Sequence, residues 1–370
     1  MQPFIYCASA SRVIFGSGSM ATVPEEVDRL NAKRVFVIGT PSALDAVRPV
    51  LAQLGARVAG IFDRPEPHVP AALAEEARRT VQALAADACL MIGGGSAIGL
   101  GKAVALTSGL PLIAVPTTYA GSEMTSIYGI TDGGVKRTGR DPRVLPRTVV
   151  YDPMLTMSLP ADLSTTSGMN AIAHCVEALY AQDGNLIISL MAEEGIRALA
   201  KALPSLVDCP GDEDARTLAM YGAWLAGTSL GSTTMALHHK VCHVLGGSFD
   251  LPHAAMHSVV LPHAASYNRD SAPEAMNRVA RALGSDDGPA GLFQLAQRLQ
   301  LPRSLASVGM PESGLEDAAR QIISVPYPNP APLSFPAVLA LLQAAYVGEA
   351  PGRRPVIHQK VNRLDQRATG

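Results

Sequence analysis

Through the first 155 or so residues, short apolar runs alternate with amphipathic stretches, the pattern of a parallel sheet covered by helices. Runs at 34–39, 58–62, 88–92, 112–115 and 148–151 predict strands. Between them, 42–54, 70–85 and 96–108 carry apolar residues three and four apart and open on residues suited to helix starts. The character changes after Asp152-Pro153: Pro160 and the polar run Ser164-Thr165-Thr166-Ser167 precede long helical patterns. These fall near 166–182, 186–203, 213–230, 234–245, 272–283, 288–299 and 334–347, with no convincing strand among them. Gly246-Gly247 is expected to end the helix over 234–245. The pattern predicts a Rossmann-like α/β nucleotide-binding domain over 1–157 and an all-α domain over 158–370.

The strand predicted at 88–92 runs straight into Gly93-Gly94-Gly95-Ser96, which opens the next helix. Unhindered amides and a helix N-terminus would then face one spot, a geometry that favours a bound pyrophosphate. A second glycine pattern, Gly16-Ser-Gly18-Ser-Met-Ala21 after Val13-Ile14-Phe15, carries less weight because its strand is short. The end of the second strand reads Ile38-Gly39-Thr40-Pro41, where a ribose-binding acid would be expected. Lacking that acid, the chain is expected to accept both NADH and NADPH, with Thr40 at the ribose end. Pro116-Thr117-Thr118-Tyr119 through Thr125 follows the next strand, at the sheet edge where ligands of open α/β sheets bind. Its hydroxyls suit phosphate or ribose, and equally suit a capped turn.

Seven of the nine histidines lie between positions 174 and 263. His239 and His243 are four apart, as are Asn170 and His174, so each pair shares one helical face. Imidazole is the side chain best suited to ligate a transition metal or move a proton near neutral pH. A lone histidine is more often a satisfied core residue, but paired spacing points to a reaction centre. His263, in an echo of the segment around His253, is read as structural. Lys136, Arg137, Arg140, Arg143 and Arg147 crowd into twelve residues, and Lys240 sits beside the histidines. Arginine's fixed fork suits a carboxylate, so this stretch is a candidate anchor for an acidic substrate or the cofactor.

A length of 370 residues exceeds the usual size of one hydrophobic core, consistent with two domains. A net charge of −2 argues against non-specific nucleic-acid binding. No apolar run approaches the roughly 18 residues of a membrane span, and the first residues lack a basic segment followed by an apolar core, so a cytoplasmic location is expected. Five cysteines, without a Cys-x-x-Cys pair, signal neither a disulfide framework nor a thiolate zinc site. Cys175 and Cys242 adjoin the histidine faces and are read as small buried hydrophobes.

Taken together, these segments resemble the iron-containing alcohol dehydrogenase superfamily, and within it the maleylacetate reductase branch, over nearly the whole chain. The resemblance is carried by Phe15-Gly16-Ser-Gly18, Gly93-Gly94-Gly95-Ser96, Pro116-Thr117-Thr118-Tyr119-Ala120-Gly121-Ser122-Glu123 and Lys136-Arg137-Thr-Gly-Arg140-Asp-Pro-Arg143. Further matches are Ser167-Gly-Met-Asn170-Ala-Ile-Ala-His174, Leu237-His238-His239-Lys240-Val-Cys-His243 and Leu251-Pro252-His253.

It implies the dehydroquinate synthase-like architecture, with a nicotinamide domain, a helical domain and an active site in the cleft between them. It also implies a homodimer and a small dicarboxylate substrate, maleylacetate, reduced to β-ketoadipate late in bacterial breakdown of aromatic compounds. Cofactor contacts fall on Gly93, Gly94, Gly95, Ser96, Thr117, Thr118 and Thr125. By the same resemblance, His174, His239 and His253 occupy the superfamily's three histidine ligand positions, with Asn170 where an aspartate is usual. An amide there removes a charge and a hard oxygen, so a metal is not expected to be required; if one were bound, these four would be its ligands.

His243 matches a histidine associated with proton transfer, with His239, His253, His174 and His238 as further catalytic candidates. Arg137, Lys136, Lys240, Asn170 and Tyr119 are the substrate-side candidates. The relatives' Ser-Pro-x-Asp is here Ser96-Ala97-Ile98-Gly99, and the threonine segment is one residue shorter, so Thr117 is assigned more securely than Thr125. A metal-dependent alcohol or aldehyde reductase, a dehydroquinate synthase-like lyase and a non-catalytic nucleotide-binding protein are the competing expectations. Tyr327-Pro-Asn329-Pro is read as a rigid surface loop.

Overall fold

The computed structural model describes residues 11–352 together with Phe4 and Tyr6; the side chains of His253 and Ala254 are not among the described parts. Six strands, β1 (Arg12–Phe15), β2 (Val35–Gly39), β3 (Val58–Phe62), β4 (Ala88–Gly93), β5 (Leu112–Pro116) and β8 (Thr148–Tyr151), form one parallel sheet. Their order is β1-β8-β5-β4-β2-β3. Both faces are covered: Phe36, Cys89, Met91 and Ala114 join one core, and Val35, Val37, Leu90 and Val115 another. Two-sided burial is why these strands read as continuous apolar runs rather than alternating ones. Pairing of Gly39 with Ile92 and of Gly93 with Pro116 brings Thr40, Gly94 and Thr117 to the same carboxyl end of the sheet.

The remaining strands, β6 (Ile127–Asp132) and β7 (Val135–Arg140), pair antiparallel in a separate hairpin. The hairpin was not expected, because glycines at 129, 133, 134 and 139 and exposed polar residues obscure its alternation. From Ala161 onward the described residues hold nine α-helices and no strand. Their apolar faces merge with the sheet's first core through Met169, Ile172, Val176, Leu199 and Met220.

Several expected boundaries move for identifiable reasons. The stretch 42–54 is two helices, Pro41–Ala46 and Arg48–Leu54, broken at Val47 because Pro49 has no amide proton to continue the ladder. The polar run at 164–167 lies inside the helix Ala161–Leu179, where Ser164, Thr165 and Thr166 hydroxyls donate to the carbonyls four residues back. Gly246-Gly247 do not end their helix, which runs Leu237–Phe249 and stops at Asp250 in the left-handed conformation (φ 51°). The helix Leu186–Asp208 passes through Pro204. Helices His253–Asn268 and Leu315–Ile323 were unforeseen, and the short run Arg12–Phe15 is the sheet's edge strand. Among the described residues, no helix is long and apolar enough to cross a membrane.

Arg216 locks the helices to the loop after β5. Its fully buried guanidinium donates to Ser164 Oγ (2.7 Å), Leu159 O (2.7 Å), Pro210 O (2.9 Å) and Tyr119 OH (3.3 Å). Tyr119 is therefore a core residue, and the expectation that it faces substrate is corrected by its complete burial.

Candidate active site

The glycine segment builds a bare cradle. Gly93 ends β4 at φ 145°, a conformation side chains resist, and Gly94 caps the helix Gly95–Ser108 without a side-chain cap. A Cβ on Gly94 would sit 2.9 Å from Thr118 Cγ2, whereas one on Gly95 would meet nothing within 4 Å. Thr118 thus closes one side of a helix N-terminus that stays open on the other, the arrangement an anionic pyrophosphate needs. A Gly94→Val variant is expected to weaken NADH binding roughly 10–100-fold, the equivalent of about 1–3 kcal/mol of overpacking. Fluorescence titration reads this directly, and unchanged affinity would take the cofactor away from the cradle.

The loop after β5 joins this cradle to the histidines. Tyr119 N donates to Ser167 Oγ (3.1 Å), and Gly121 packs so closely on the helix Glu213–Ser232 that its built Cβ would lie 3.0 Å from Gly227 Cα and 3.5 Å from His174 Nδ1. One short loop therefore spans from Thr118, over the glycines, to His174. Thr117 and Thr118 are half-buried at the sheet end. Thr40 Oγ1 accepts from Ala43 N (3.4 Å) as a helix cap at the same end.

Thr125 does not face the sheet end: Lys102 takes its hydroxyl. The fully buried Lys102 ammonium donates to Ser122 O (2.5 Å), Thr125 O (2.7 Å), Thr125 Oγ1 (2.9 Å) and Ile127 O (2.9 Å). Burial lowers its pKa to about 7, with the charge of Glu123 pulling the other way. Lys102 was invisible as a loop anchor in the sequence, because a lysine in a helix ordinarily reads as solvated.

On the helix Ala161–Leu179, Asn170, His174 and Glu177 follow one another along one face. His239, on the helix Leu237–Phe249, stacks on His174 with ring centroids 5.0 Å apart. Its Nδ1 donates to Glu177 Oε2 at 2.6 Å. The same buried carboxylate accepts from Ala236 N (2.9 Å), His238 N (2.8 Å) and Tyr180 OH (3.2 Å), so Glu177 caps the histidine helix from another helix. Burial pushes its pKa up, but the hydrogen bond and charge of His239, the charge of His238 and the Ala236 amide bring it down to about 2. Glu177 was missed in the sequence, although the 170, 174, 177 spacing already placed it on the marked face.

The other sequence candidates separate. His243 is exposed one turn along from His239, with ring centroids 6.4 Å apart. His238 turns inward, its Nε2 2.8 Å from Nδ1 of His257, a residue not singled out before. The His253 side chain lies outside the described residues. Lys240 is half-buried, and Lys136 and Arg137 are exposed on β7. Arg140 is committed to Gly231 O (3.0 Å) and Thr233 O (2.8 Å), and Arg143 to Asp141 (2.7 Å). His263 is buried, and burial lowers its pKa to about 4, in keeping with a neutral structural role.

Asn170 Oδ1 and His239 Nε2 are both buried without a hydrogen-bond partner among the described residues. By the family resemblance, they and His174 are the described members of the four metal-ligand positions. The set is poorly suited to iron(II): every donor is neutral, and both oxygens of Glu177 are already held by amides and by His239 Nδ1.

The family model described as iron-containing alcohol dehydrogenase matches residues 10–153, and the one for the C-terminal part of the Fe-containing alcohol dehydrogenase family matches 164–346. Maleylacetate reductase of Burkholderia cepacia is 54% identical over 95% of this chain and 100% of its own. Maleylacetate reductase 2 of Cupriavidus pinatubonensis is 52% identical over 92% and 96%. The crystal structure of maleylacetate reductase from Agrobacterium tumefaciens superposes with a TM-score of 0.92 at 46% identity, covering 95% of this chain and 100% of that one. The chain therefore belongs to the iron-containing alcohol dehydrogenase family of oxidoreductases, on its maleylacetate reductase branch.

Proposed function

We propose that this chain reduces maleylacetate to β-ketoadipate with hydride from NADH or NADPH, as a cytoplasmic homodimer, in the breakdown of aromatic compounds. The observation that carries this reading is 54% identity to a maleylacetate reductase along 95% of the chain. The substrate is an alkene conjugated to a ketone between two carboxylates. Hydride adds to the alkene carbon β to the ketone, and the displaced electron pair collects on the ketone oxygen as an enolate. Protonation at the α carbon then completes the reduction, leaving oxidised nicotinamide.

His239, oriented by Glu177, and His174 stacked on it supply hydrogen-bonding imidazoles to the developing oxyanion, with His253 as a third candidate. Pre-oriented donors of this kind are worth several kcal/mol. His243, exposed at the edge of the cluster, delivers the proton. Asn170 offers its amide to the substrate, while Lys240, Lys136 and Arg137 supply counter-charge for the carboxylates. The nicotinamide nucleotide rests on Gly93 to Ser96 with Thr117 and Thr118, and no acid at the end of β2 rejects a ribose phosphate. Turnover does not require a metal in this reading, because the imidazole cluster takes the place of a Lewis acid. The dimer rests on the family resemblance.

The test follows NADH and NADPH absorbance with freshly generated maleylacetate, before and after exhaustive chelation, with metal content measured on the same sample. Stoichiometric oxidation of either cofactor, unaffected by chelation, is expected. No oxidation overturns the substrate assignment; loss of activity on chelation, restored by metal, overturns metal independence. A monomer mass by light scattering removes the dimer.

A further inference from the structure

Behind the oxyanion cluster lies a second group of donors that the reaction does not use. We propose that His238, Cys242 and His257 form a distinct site for a borderline or soft divalent cation of the zinc, cobalt or cadmium type, clamping the helices Leu237–Phe249 and His253–Asn268 together. His238 and Cys242 stand one turn apart on the first helix, and His257 comes from the second. Among the described residues this is the group whose donor atoms all lie within 4.8 Å of one another, and all three residues are buried.

The spacing suits one ion. With metal–nitrogen bonds of about 2.0–2.1 Å and a metal–sulfur bond of about 2.3 Å, tetrahedral edges are roughly 3.3 Å between nitrogens and 3.6 Å from nitrogen to sulfur. Cys242 Sγ is already 3.8 Å from His238 Nε2. The two imidazole nitrogens, at 2.8 Å, must part by roughly half an ångström.

Without an ion, the two rings are held by their hydrogen bond and burial keeps the Cys242 thiol protonated, its pKa well above the ordinary value. On binding, the cation takes lone pairs from His238 Nε2, His257 Nδ1 and the Cys242 sulfur. The thiol proton leaves to solvent and the shared imidazole proton moves to the other nitrogen of the ring that carries it, so one proton is released per ion. A thiolate with two imidazoles selects zinc-like ions far better than the neutral amide and imidazoles on the cleft side. Metal found in the purified enzyme is therefore assigned here first, and its presence does not make turnover metal-dependent.

The test uses the full chain in a Cys7→Ser, Cys209→Ser background, which removes the exposed Cys209 thiol and Cys7, outside the described residues. After exhaustive chelation the protein is titrated with Co2+. Expected are a thiolate-to-cobalt charge-transfer band and tetrahedral visible bands saturating at one equivalent, release of one proton, and a higher Tm. Cys242→Ser abolishes the charge-transfer band, His257→Gln weakens binding at least tenfold, and Asn170→Ala changes neither. No charge-transfer band, a band that survives Cys242→Ser, or binding lost in Asn170→Ala instead overturns the site. Because the readout is spectroscopic, the outcome is independent of whether maleylacetate is the substrate.

Discussion

Turnover of a His239→Ala variant is expected to fall about 10²–10³-fold, the cost of removing one pre-oriented oxyanion donor. Glu177→Gln, which leaves His239 in place, is expected to cost about 10–100-fold, typical of losing the carboxylate that orients an imidazole. The reason is the arrangement of acceptors: Oε2 of Glu177 takes the His239 Nδ1 proton while Oε1 takes the His238 amide. Glutamine has one oxygen and one NH2 group, so it cannot serve both, and where the NH2 faces Nδ1 the His239 tautomer inverts. NADH affinity stays near that of the parent in both variants, because the glycine cradle is untouched. A Glu177→Gln enzyme with normal turnover and an unchanged pH profile would reduce Glu177 to a helix cap.

The same carboxylate makes a statement about acid stability. Its pKa is about 2 in the folded protein against an ordinary 4.5. Between these values the unfolded chain binds more protons, so the stability Glu177 contributes is fully present above about pH 4.5 and is lost as pH falls toward 2. The stability difference between parent and Glu177→Gln is expected to shrink from pH 5 to about pH 3 in urea unfolding. A difference independent of pH in that window would contradict an ionised Glu177.

The largest stability effect is expected at Arg216. Arg216→Met leaves Ser164 Oγ, Leu159 O and Pro210 O without their shared donor inside the protein. Of these, Ser164 is buried, Leu159 half-buried and Pro210 exposed, so at about 1–3 kcal/mol for a buried acceptor left unsatisfied a loss of about 2 kcal/mol is expected. The denaturant midpoint reads it, and a loss under about 1 kcal/mol would show that the pocket rehydrates. Because Tyr119 OH is a further partner, the loop over the glycines also loosens, and NADH affinity is expected to fall with stability.

How much of this was legible in the sequence depended on the range of the interaction. The strands β2, β4, β5 and β8 announced themselves because burial on both faces permits only apolar residues. The helix His253–Asn268 did not, since Pro262 and three histidines interrupt its pattern. Thr125 and Tyr119 read as cleft residues until Lys102 and Arg216, which the sequence left as ordinary helix cations, proved to occupy their hydroxyls.

By itself the sequence determined what local periodicity and residue type can determine: the sheet-then-helices order, the open helix start at Gly95, the shared face of Asn170 and His174, and the motifs of the family. Only the tertiary structure decided which way each histidine turns. His238 and His239 are neighbours, yet one turns to His257, nineteen positions on, and the other to Glu177, sixty-two positions back. Successive helical residues point about 100° apart, and which direction is cleft and which is core depends on the helices packed against them. Helical spacing cannot carry that information, because the partners come from other segments of the chain.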